Sequence, residues 1–385
     1  MTRNPPQMRN SKLMRKAVLA LAAALLLVGT GAAYSRSQAR PATLVVSNSP
    51  IKAFAQDGNQ IAWASLDKHA TCPWQVRIRL LGSKKQQLVT KPSGATCRSD
   101  SGFDIRPSQT PSLALAGKQA LWTLRSEGNK TYIDLVTASY GGTKDVIREE
   151  LVNGTDSGYG DHLGGISGDS STLVYGVATV KVTGPPDCDL SGTPCKTAIS
   201  GRGVERVTGT RKVAIPGAPP PVMLAASGHR IALVVAAKVV SGEKRVGPGS
   251  PATVKVMDSV SGRSVGSFSV LGEPLALAFA PSVVAVLKSR AGGTQIEFRT
   301  PAGALLRTVA VPAGATALST TNTRAVFSVG KSIRTVRVAG GAVTNLVTAA
   351  ATPIGLSIEG TRVAWAENVT VQHVLRGRIR AITVH

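Results

Sequence analysis

The feature that most constrains the fold is a pair of short strands joined by a tight turn, which recurs seven times along the 385-residue chain. Each copy begins with a strand of small residues and ends with an apolar strand, as in IKAFAQDGNQIAWAS at 51–65. Aligning the copies on their third apolar position gives equivalent anchors, 38 to 59 residues apart: Trp63, Trp122, Tyr175, Leu233, Val286, Phe327 and Trp365. Such a period is typical of folds in which each unit buries its faces only against its neighbours.

The residues after each pair supply two more strands, such as WQVRIRLL and QQLVTK in the first repeat. Glycine and proline separate short strands throughout, and no segment beyond residue 40 has a helical period. The sequence therefore predicts an all-β chain: a seven-bladed β-propeller of four-stranded antiparallel blades over residues 41–385. The alternative is an eight-bladed ring, because the early repeats are long enough to hold extra strands.

Ring closure requires that the edge strands at the two chain ends be paired. The last repeat reads as four strands, IGLSIEG, RVAWAEN, VTVQHVL and RIRAITVH, and ATLVVSN at 42–48 precedes the first repeat. We expect 42–48 to pair with the outer edge of the last blade.

The turns also carry a resemblance to a known family. AQDGNQIAWAS and SGDSSTLVYG resemble the S-x-D-G-x-x-I-A-F/Y repeats of TolB-like, WD40-type propellers, and the resemblance covers residues 42–385. Only the first copy keeps an Asp-Gly turn, and the Gly-His and Trp-Asp signatures of WD40 blades are missing. The resemblance implies the propeller fold and binding of a protein or ligand, and it carries over no catalytic residue.

Residues 1–40 form a separate segment. A leader with only basic charges precedes the apolar run at 17–28 and the small residues GTGAA; its charged residues are Arg3, Arg9, Lys12, Arg15 and Lys16. This order predicts a signal peptide cleaved after Ala33, and an uncleaved membrane anchor is the alternative. The expected location is secreted or attached to the cell envelope, with membrane contact only through this segment if it is retained.

The four cysteines are Cys72, Cys97, Cys188 and Cys195. With strands lettered A to D from the centre of a blade outwards, B–C and D–A connections leave from one face, which we call the looped face. A–B and C–D connections leave from the opposite face, the turn face. Cys72 and Cys97 both fall on the looped face, whereas Cys188 and Cys195 lie within one B–C insertion, so we expect two local disulfides. The spacing lacks the paired CxxC pattern of structural zinc sites.

The long connections of the first four repeats all belong to the looped face, and loops on a rigid scaffold commonly carry function. The candidate partner-binding residues there are His69, Trp74, Arg98, Asp156, Tyr159, Asp161, His162, Lys244 and Arg245. The alternative for each is an ordinary solvated loop residue. The DSGYGDH segment does not match a calcium-loop pattern, so we predict no metal and no cofactor.

The formal net charge is +24, of which residues 1–40 contribute seven basic side chains. This excess favours an anionic partner, and compositional bias is the alternative reading. Aromatic residues make up only 4%, which excludes a stacking platform for nucleic acid.

The GRSVG string at 262–266 and the GKS triplet at 330–332 are predicted to lie at hairpin turns rather than in enzyme motifs. We therefore expect a monomeric, non-enzymatic binding or scaffold protein of a bacterial envelope, engaging a protein or an anionic polymer. The alternative is an extracellular glycan lyase or hydrolase.

The disulfides give the first testable prediction. Non-reducing peptide mapping should recover Cys72 linked to Cys97 and Cys188 linked to Cys195. Closing the first loop should stabilise the fold by about 3.5 kcal/mol on the chain-entropy account. A peptide that links Cys72 to Cys188 or Cys97 to Cys195 would contradict the placement of each pair in neighbouring loops.

Overall fold

The computed structural model describes residues 40–66, 74–83, 85–89, 112–127, 130–141, 144–145, 150–154, 160–182, 197–209, 211–235, 238–240, 245–247 and 251–384. Every regular element in these ranges is a β-strand, beginning with β1 (Ala42–Ser47). Among the described residues, no helix has the length and apolarity needed to cross a membrane. The signal or anchor segment predicted for residues 1–40 lies, apart from Arg40, outside the described residues.

The strands form seven antiparallel blades in chain order, as the repeats predict. Blade 1 contains β2 (Ile51–Asp57), β3 (Gln60–Leu66), β4 (Trp74–Leu80) and β5 (Gln86–Leu88). Blade 2 contains β6 (Leu113–Ala116), β7 (Gln119–Glu127), β8 (Lys130–Ser139), β9 (Lys144–Asp145) and β10 (Glu150–Gly154). Blade 3 contains β11 (Gly160–Asp169), β12 (Thr172–Val182), β13 (Thr197–Gly201), β14 (Val204–Thr208) and β15 (Arg211–Ala214).

Blade 4 contains β16 (Pro221–Ser227), β17 (Arg230–Val235), the inserted hairpin β18 (Lys238–Val240) and β19 (Arg245–Gly247), β20 (Ala252–Asp258) and β21 (Ser264–Val270). Blade 5 contains β22 (Glu273–Ala280), β23 (Val283–Arg290), β24 (Gly293–Arg299) and β25 (Leu305–Val311). Blade 6 contains β26 (Ala315–Thr320), β27 (Arg324–Val329), β28 (Ser332–Arg337) and β29 (Thr344–Thr348). Blade 7 contains β30 (Gly355–Glu359), β31 (Arg362–Val371), β32 (Val374–Thr383) and, as its outer strand, β1. The eight-bladed alternative is wrong.

The seven anchors predicted from the repeats occupy the same place in strand B of every blade, and each is at most 2% exposed. Each packs against the preceding blade and so belongs to its own apolar cluster. Trp122 packs against Ala64 and Ile78 of blade 1, and Trp365 packs against Val326 of blade 6. The remaining anchors repeat this arrangement around the ring, so every blade interface has its own core.

The expected closure is confirmed, because β1 pairs antiparallel with β32 from Ala42↔Ala381 to Ser47↔Gly377. Asn368 adds a second connection between the ends of the chain. Its Oδ1 accepts a hydrogen bond from the Ile51 N–H at 2.8 Å, and its Nδ2 donates to the Ile51 carbonyl at 2.9 Å. A Cβ at position 377 would lie 2.5 Å from Cγ1 of Ile51, so this contact requires glycine.

The division of the last repeat into four strands is wrong. RVAWAEN and VTV form one continuous strand, β31, which turns at Gln372 and His373 and returns as β32. The C-terminal repeat therefore supplies three strands, and the fourth place in blade 7 is filled by β1.

Because Trp365 fills one of these interface cores, we expect the loss of stability on its substitution to grow with the volume removed. Its indole N–H is buried and donates no hydrogen bond within the described part of the chain, so the side chain contributes through packing alone. Trp365→Ala should lower the free energy of unfolding by about 3–5 kcal/mol, and Trp365→Phe should lower it by clearly less. Urea unfolding of both variants tests this, and equal losses would contradict the packing role.

Candidate functional site

The looped face is enlarged where the sequence predicts it. Strands β10 and β11 meet through the pair Asn153↔Gly160, which joins blades 2 and 3 in one ladder. In blade 3 the B–C insertion returns as β13, which extends the edge of β12, and in blade 4 it forms the β18–β19 hairpin. Strand β13 contacts β18, so insertions from neighbouring blades build a shared rim.

Two of the predicted binding residues lie on this rim with described side chains. The Oδ1 atom of Asp161 accepts a hydrogen bond from the Thr179 hydroxyl at 2.5 Å, and its Oδ2 lies 2.7 Å from Nη1 of Arg202. Asp161 thus ties β11 to the insertion of the same blade. His162 is half-buried beside it and pairs with Ala178.

The other predicted residues are placed only in part. Trp74 begins β4 and Arg245 begins β19. The following lie outside the described residues: His69, Arg98, Asp156, Tyr159, Lys244, Cys72, Cys97, Cys188 and Cys195. The binding role and the disulfide pairs therefore stay predictions. Within the described ranges, no group of three or more His, Cys, Asp or Glu side chains is arranged to hold a metal ion.

The turn face carries a feature that sequence reasoning missed. Asp57, at the end of strand A in blade 1, accepts hydrogen bonds from the backbone N–H groups of Gly117 in blade 2 and Ser170 in blade 3. Asp169, at the same place in blade 3, accepts one from the Gly228 N–H of blade 4 at 2.6 Å. Glu359, at the end of strand A in blade 7, accepts a hydrogen bond from the Gly58 N–H of blade 1. We call these clasped A–B turns the turn ring.

The turn geometry explains why these N–H groups are available. Gly58, Gly117, Gly228 and Gly360 open their A–B turns with φ between +53° and +57°, and Ser170 takes the same place with φ of 57°. This left-handed start is typical of tight hairpin turns. The N–H groups of Gly117, Ser170 and Gly228 at these positions each bind a carboxylate of another blade. A Cβ at position 117 would lie 2.9 Å from the Ser170 carbonyl oxygen, so the turns of blades 2 and 3 are in close contact.

The carboxylates of the turn ring are close enough to influence one another. Burial raises the pKa of Asp57, the two backbone N–H groups oppose this, and Asp169 adds to the increase. Burial also raises the pKa of Glu359 to about 7, and the charges of Asp57 and Asp169 act in the same direction. Arg362 lowers it in part. Arg362 itself is held by Oε1 of Gln56 at 3.3 Å and by the Gly58 carbonyl.

A sequence signal for the turn ring exists. Each of the three carboxylates is the last residue of strand A, immediately before the turn, as in Asp57-Gly58, Asp169-Ser170 and Glu359-Gly360. The repeat alignment therefore contains the pattern, but the acceptor role becomes visible only when the turns of different blades meet.

The two enzyme-like strings lie at turns, as predicted. Ser264 begins β21 after a turn that follows β20, and residues 330–332 connect β27 to β28. Neither string leads from a strand into a helix, which a nucleophile elbow or a phosphate-binding loop requires.

The sequence matches no protein-family model, and it matches no curated protein. Its fold is similar to that of the WD40 propeller domain of Doa1, with 11% identity, a TM-score of 0.48, and coverage of 90% of this chain and 97% of that chain. It is also similar to BamB from Moraxella catarrhalis, with 10% identity, a TM-score of 0.41, and coverage of 89% and 100%. The third similar structure is the propeller domain of the Trilobed protease from Pyrococcus furiosus, with 9% identity, a TM-score of 0.44, and coverage of 86% of this chain and 95% of that chain. At identities this low the similarity concerns the fold alone, and membership of the TolB-like family stays a prediction.

The turn ring predicts a pH dependence of stability. Because the pKa of Glu359 is 4.5 ordinarily and about 7 in the fold, the folded state retains a proton between these values that the unfolded chain releases. The free energy of unfolding should therefore fall as pH rises through this window. Glu359→Gln should remove this pH dependence. Its free energy of unfolding should exceed that of the wild type by about 1–3 kcal/mol above the window and should differ little from it below the window.

Urea unfolding across the pH range measures the effect. Glu273→Gln, at the exposed first residue of β22 in blade 5, controls for the loss of one negative charge. A loss of stability in Glu359→Gln at the upper end of the range would show that the anion stabilises the ring through Arg362.

Proposed function

We propose that this protein is an exported, non-enzymatic binding or scaffold propeller that engages a protein or an anionic cell-envelope polymer through its looped face. The observation that carries the proposal is the concentration of long connections on one face of a regular ring. The insertions of blades 3 and 4 and the β10–β11 extension all leave from that face, whereas the described A–B turns opposite are two or three residues long. A binding surface built from variable loops on a rigid frame is the common arrangement for recognition.

The distribution of acidic residues supports an anionic partner. Eight acidic side chains in the described residues form hydrogen bonds or ion pairs within the propeller, and these are Asp57, Asp161, Asp169, Glu205, Asp258, Glu297, Glu359 and Glu367. The chain has 21 acidic residues against 45 lysines and arginines. Because many of the few acids are engaged internally, the basic excess remains available to attract anionic material.

Export is supported by the sequence of residues 1–40, in which a basic leader precedes an apolar run and small residues. An exported bacterial protein meets wall polymers and envelope proteins. The anionic polymer is therefore the partner that charge and location favour together.

The second candidate, a glycan lyase or hydrolase, is favoured by the carboxylates that gather in the turn ring. Acid–base catalysis on glycans commonly uses such a pair. However, Asp57 is only 6% exposed, and both it and Asp169 accept hydrogen bonds from backbone N–H groups of neighbouring turns. Glu359 likewise accepts a hydrogen bond from the Gly58 N–H of blade 1. All three carboxylates therefore connect blades, and we place the enzyme second.

The binding proposal predicts a face-specific effect of charge. Reversal of three basic residues that the repeats predict to lie on the looped face, Arg98→Glu, Lys244→Glu and Arg245→Glu together, should weaken binding to isolated anionic envelope polymer by about tenfold or more. Wild-type binding should weaken as salt is raised, because exposed charges are screened beyond roughly 8–10 Å at physiological ionic strength. A sedimentation assay with the mature protein measures both effects.

The matched control makes the same change in net charge on the turn face. Lys85→Glu, Lys118→Glu and Arg263→Glu replace exposed residues in the C–D and A–B connections there. Such exposed substitutions usually change stability by less than about 0.5 kcal/mol, so both triple variants should fold. Equal weakening by both sets would show that net charge alone is responsible and that the looped face is not the site.

A further inference from the structure

A cleft of about 520 Å³ opens on the turn face between the outer strand of blade 5 and blade 6. Its wall on one side is β25, and its other walls are the A–B and C–D connections of blade 6. The lining residues are Leu306, Asn322, Thr323, Arg324, Arg337, Val338 and Ala339. None of them is acidic. This cleft is separate from the looped face and from the carboxylates of the turn ring.

Two arginines, Arg324 and Arg337, line the cleft from adjacent strands. Arg324 and Arg337 are directly paired across β27 and β28, a register in which like charges are destabilising. Burial lowers the pKa of Arg324, and the neighbouring Arg337 lowers it further. Arg337 is exposed and has no acidic partner among the described residues. A fold that keeps two cations opposite each other at the mouth of a cleft gains from an anion placed between them.

The backbone that carries these two arginines is held in place before any ligand arrives. Arg307 of blade 5 donates from Nη1 to the Arg337 carbonyl at 2.9 Å and from Nη2 to the Gly341 carbonyl at 2.6 Å. The Val338 N–H donates to the Thr323 carbonyl at 2.9 Å, which ties the two blade 6 connections together. The cleft therefore needs little rearrangement on binding, which lowers the entropic cost.

The rest of the lining is apolar or neutral. Leu306 is a large apolar side chain that remains 46% exposed on the blade 5 wall, and Ala339 lies at the other wall. Asn322 and Thr323 provide neutral polar groups beside the arginines. The volume lies within the roughly 300–1,000 Å³ range of small-molecule sites.

We propose that this cleft binds a small organic anion, in which a carboxylate or phosphate group lies between Arg324 and Arg337 and an attached apolar group contacts Leu306. Arginine binds both kinds of anion through paired N–H donors. The site is independent of the partner-binding role proposed for the looped face.

Isothermal titration of the full chain tests the proposal with hexanoate, hexyl phosphate, inorganic phosphate and hexanol. One equivalent of hexanoate or hexyl phosphate should bind, and the stronger of the two identifies the anionic group. Inorganic phosphate should bind more weakly because it lacks the apolar contact, and hexanol should not bind measurably. Arg337→Gln should weaken the binding of the hexyl anion by about tenfold or more, since one charged hydrogen-bond donor is lost.

Two further variants separate binding from folding. Arg337→Gln should melt at or above the wild-type temperature without ligand, because it removes a like-charge contact. Arg263→Gln, an exposed arginine in the C–D turn of blade 4, should leave binding unchanged. The proposal is overturned if neither hexyl anion binds, if hexanol binds equally well, or if Arg263→Gln weakens binding as much as Arg337→Gln.

Discussion

The ring depends on one repeated contact, in which the strand B anchor of each blade packs against the blade before it. Seven such contacts divide the apolar core into separate interface clusters, from the Trp63 cluster between blades 7 and 1 to the Trp365 cluster between blades 6 and 7. The anchors differ widely in size, from Val286 to tryptophan, and the facing residues differ with them. Because stability comes from these interfaces, the connections on either face can change length without disturbing the core.

The part of this architecture that could be predicted from the sequence is the part that repeats locally. The A–B hairpins and their anchors are encoded within about sixteen residues each, so alignment of the copies gives seven blades. Blade 7 could not be divided correctly because its B and C strands, β31 and β32, each continue for ten residues across the predicted strand boundaries, and its fourth strand comes from the other end of the chain. The outer strand of blade 2 is divided into β9 and β10 in a similar departure from the repeat.

The candidate site was predicted less completely, because the hydrogen bonds and ion pairs between side chains depend on contacts that no single repeat contains. The topology rule places the enlarged connections on one face, but it does not say which side chains there are already engaged. Asp161 was predicted as a binding residue, and the structure commits both of its oxygens to Thr179 and Arg202. The turn ring and the Arg324–Arg337 pair were missed because each joins residues whose meeting depends on neighbouring blades or on a cross-strand register.

Closure by β1 has a consequence for how the chain reaches its native state. The hydrogen bond from Arg380 to the Pro41 carbonyl joins residues 339 positions apart, so the closing interface cannot form until β32 has been synthesised. During that time β1 has no native partner, and its unpaired edge resembles the edges through which chains associate with one another. Its six residues and the proline that precedes it limit that exposed edge. The strand that completes the ring is therefore the first of the described strands to be made and the last to be protected, and the order of synthesis sets the interval in which aggregation competes with folding.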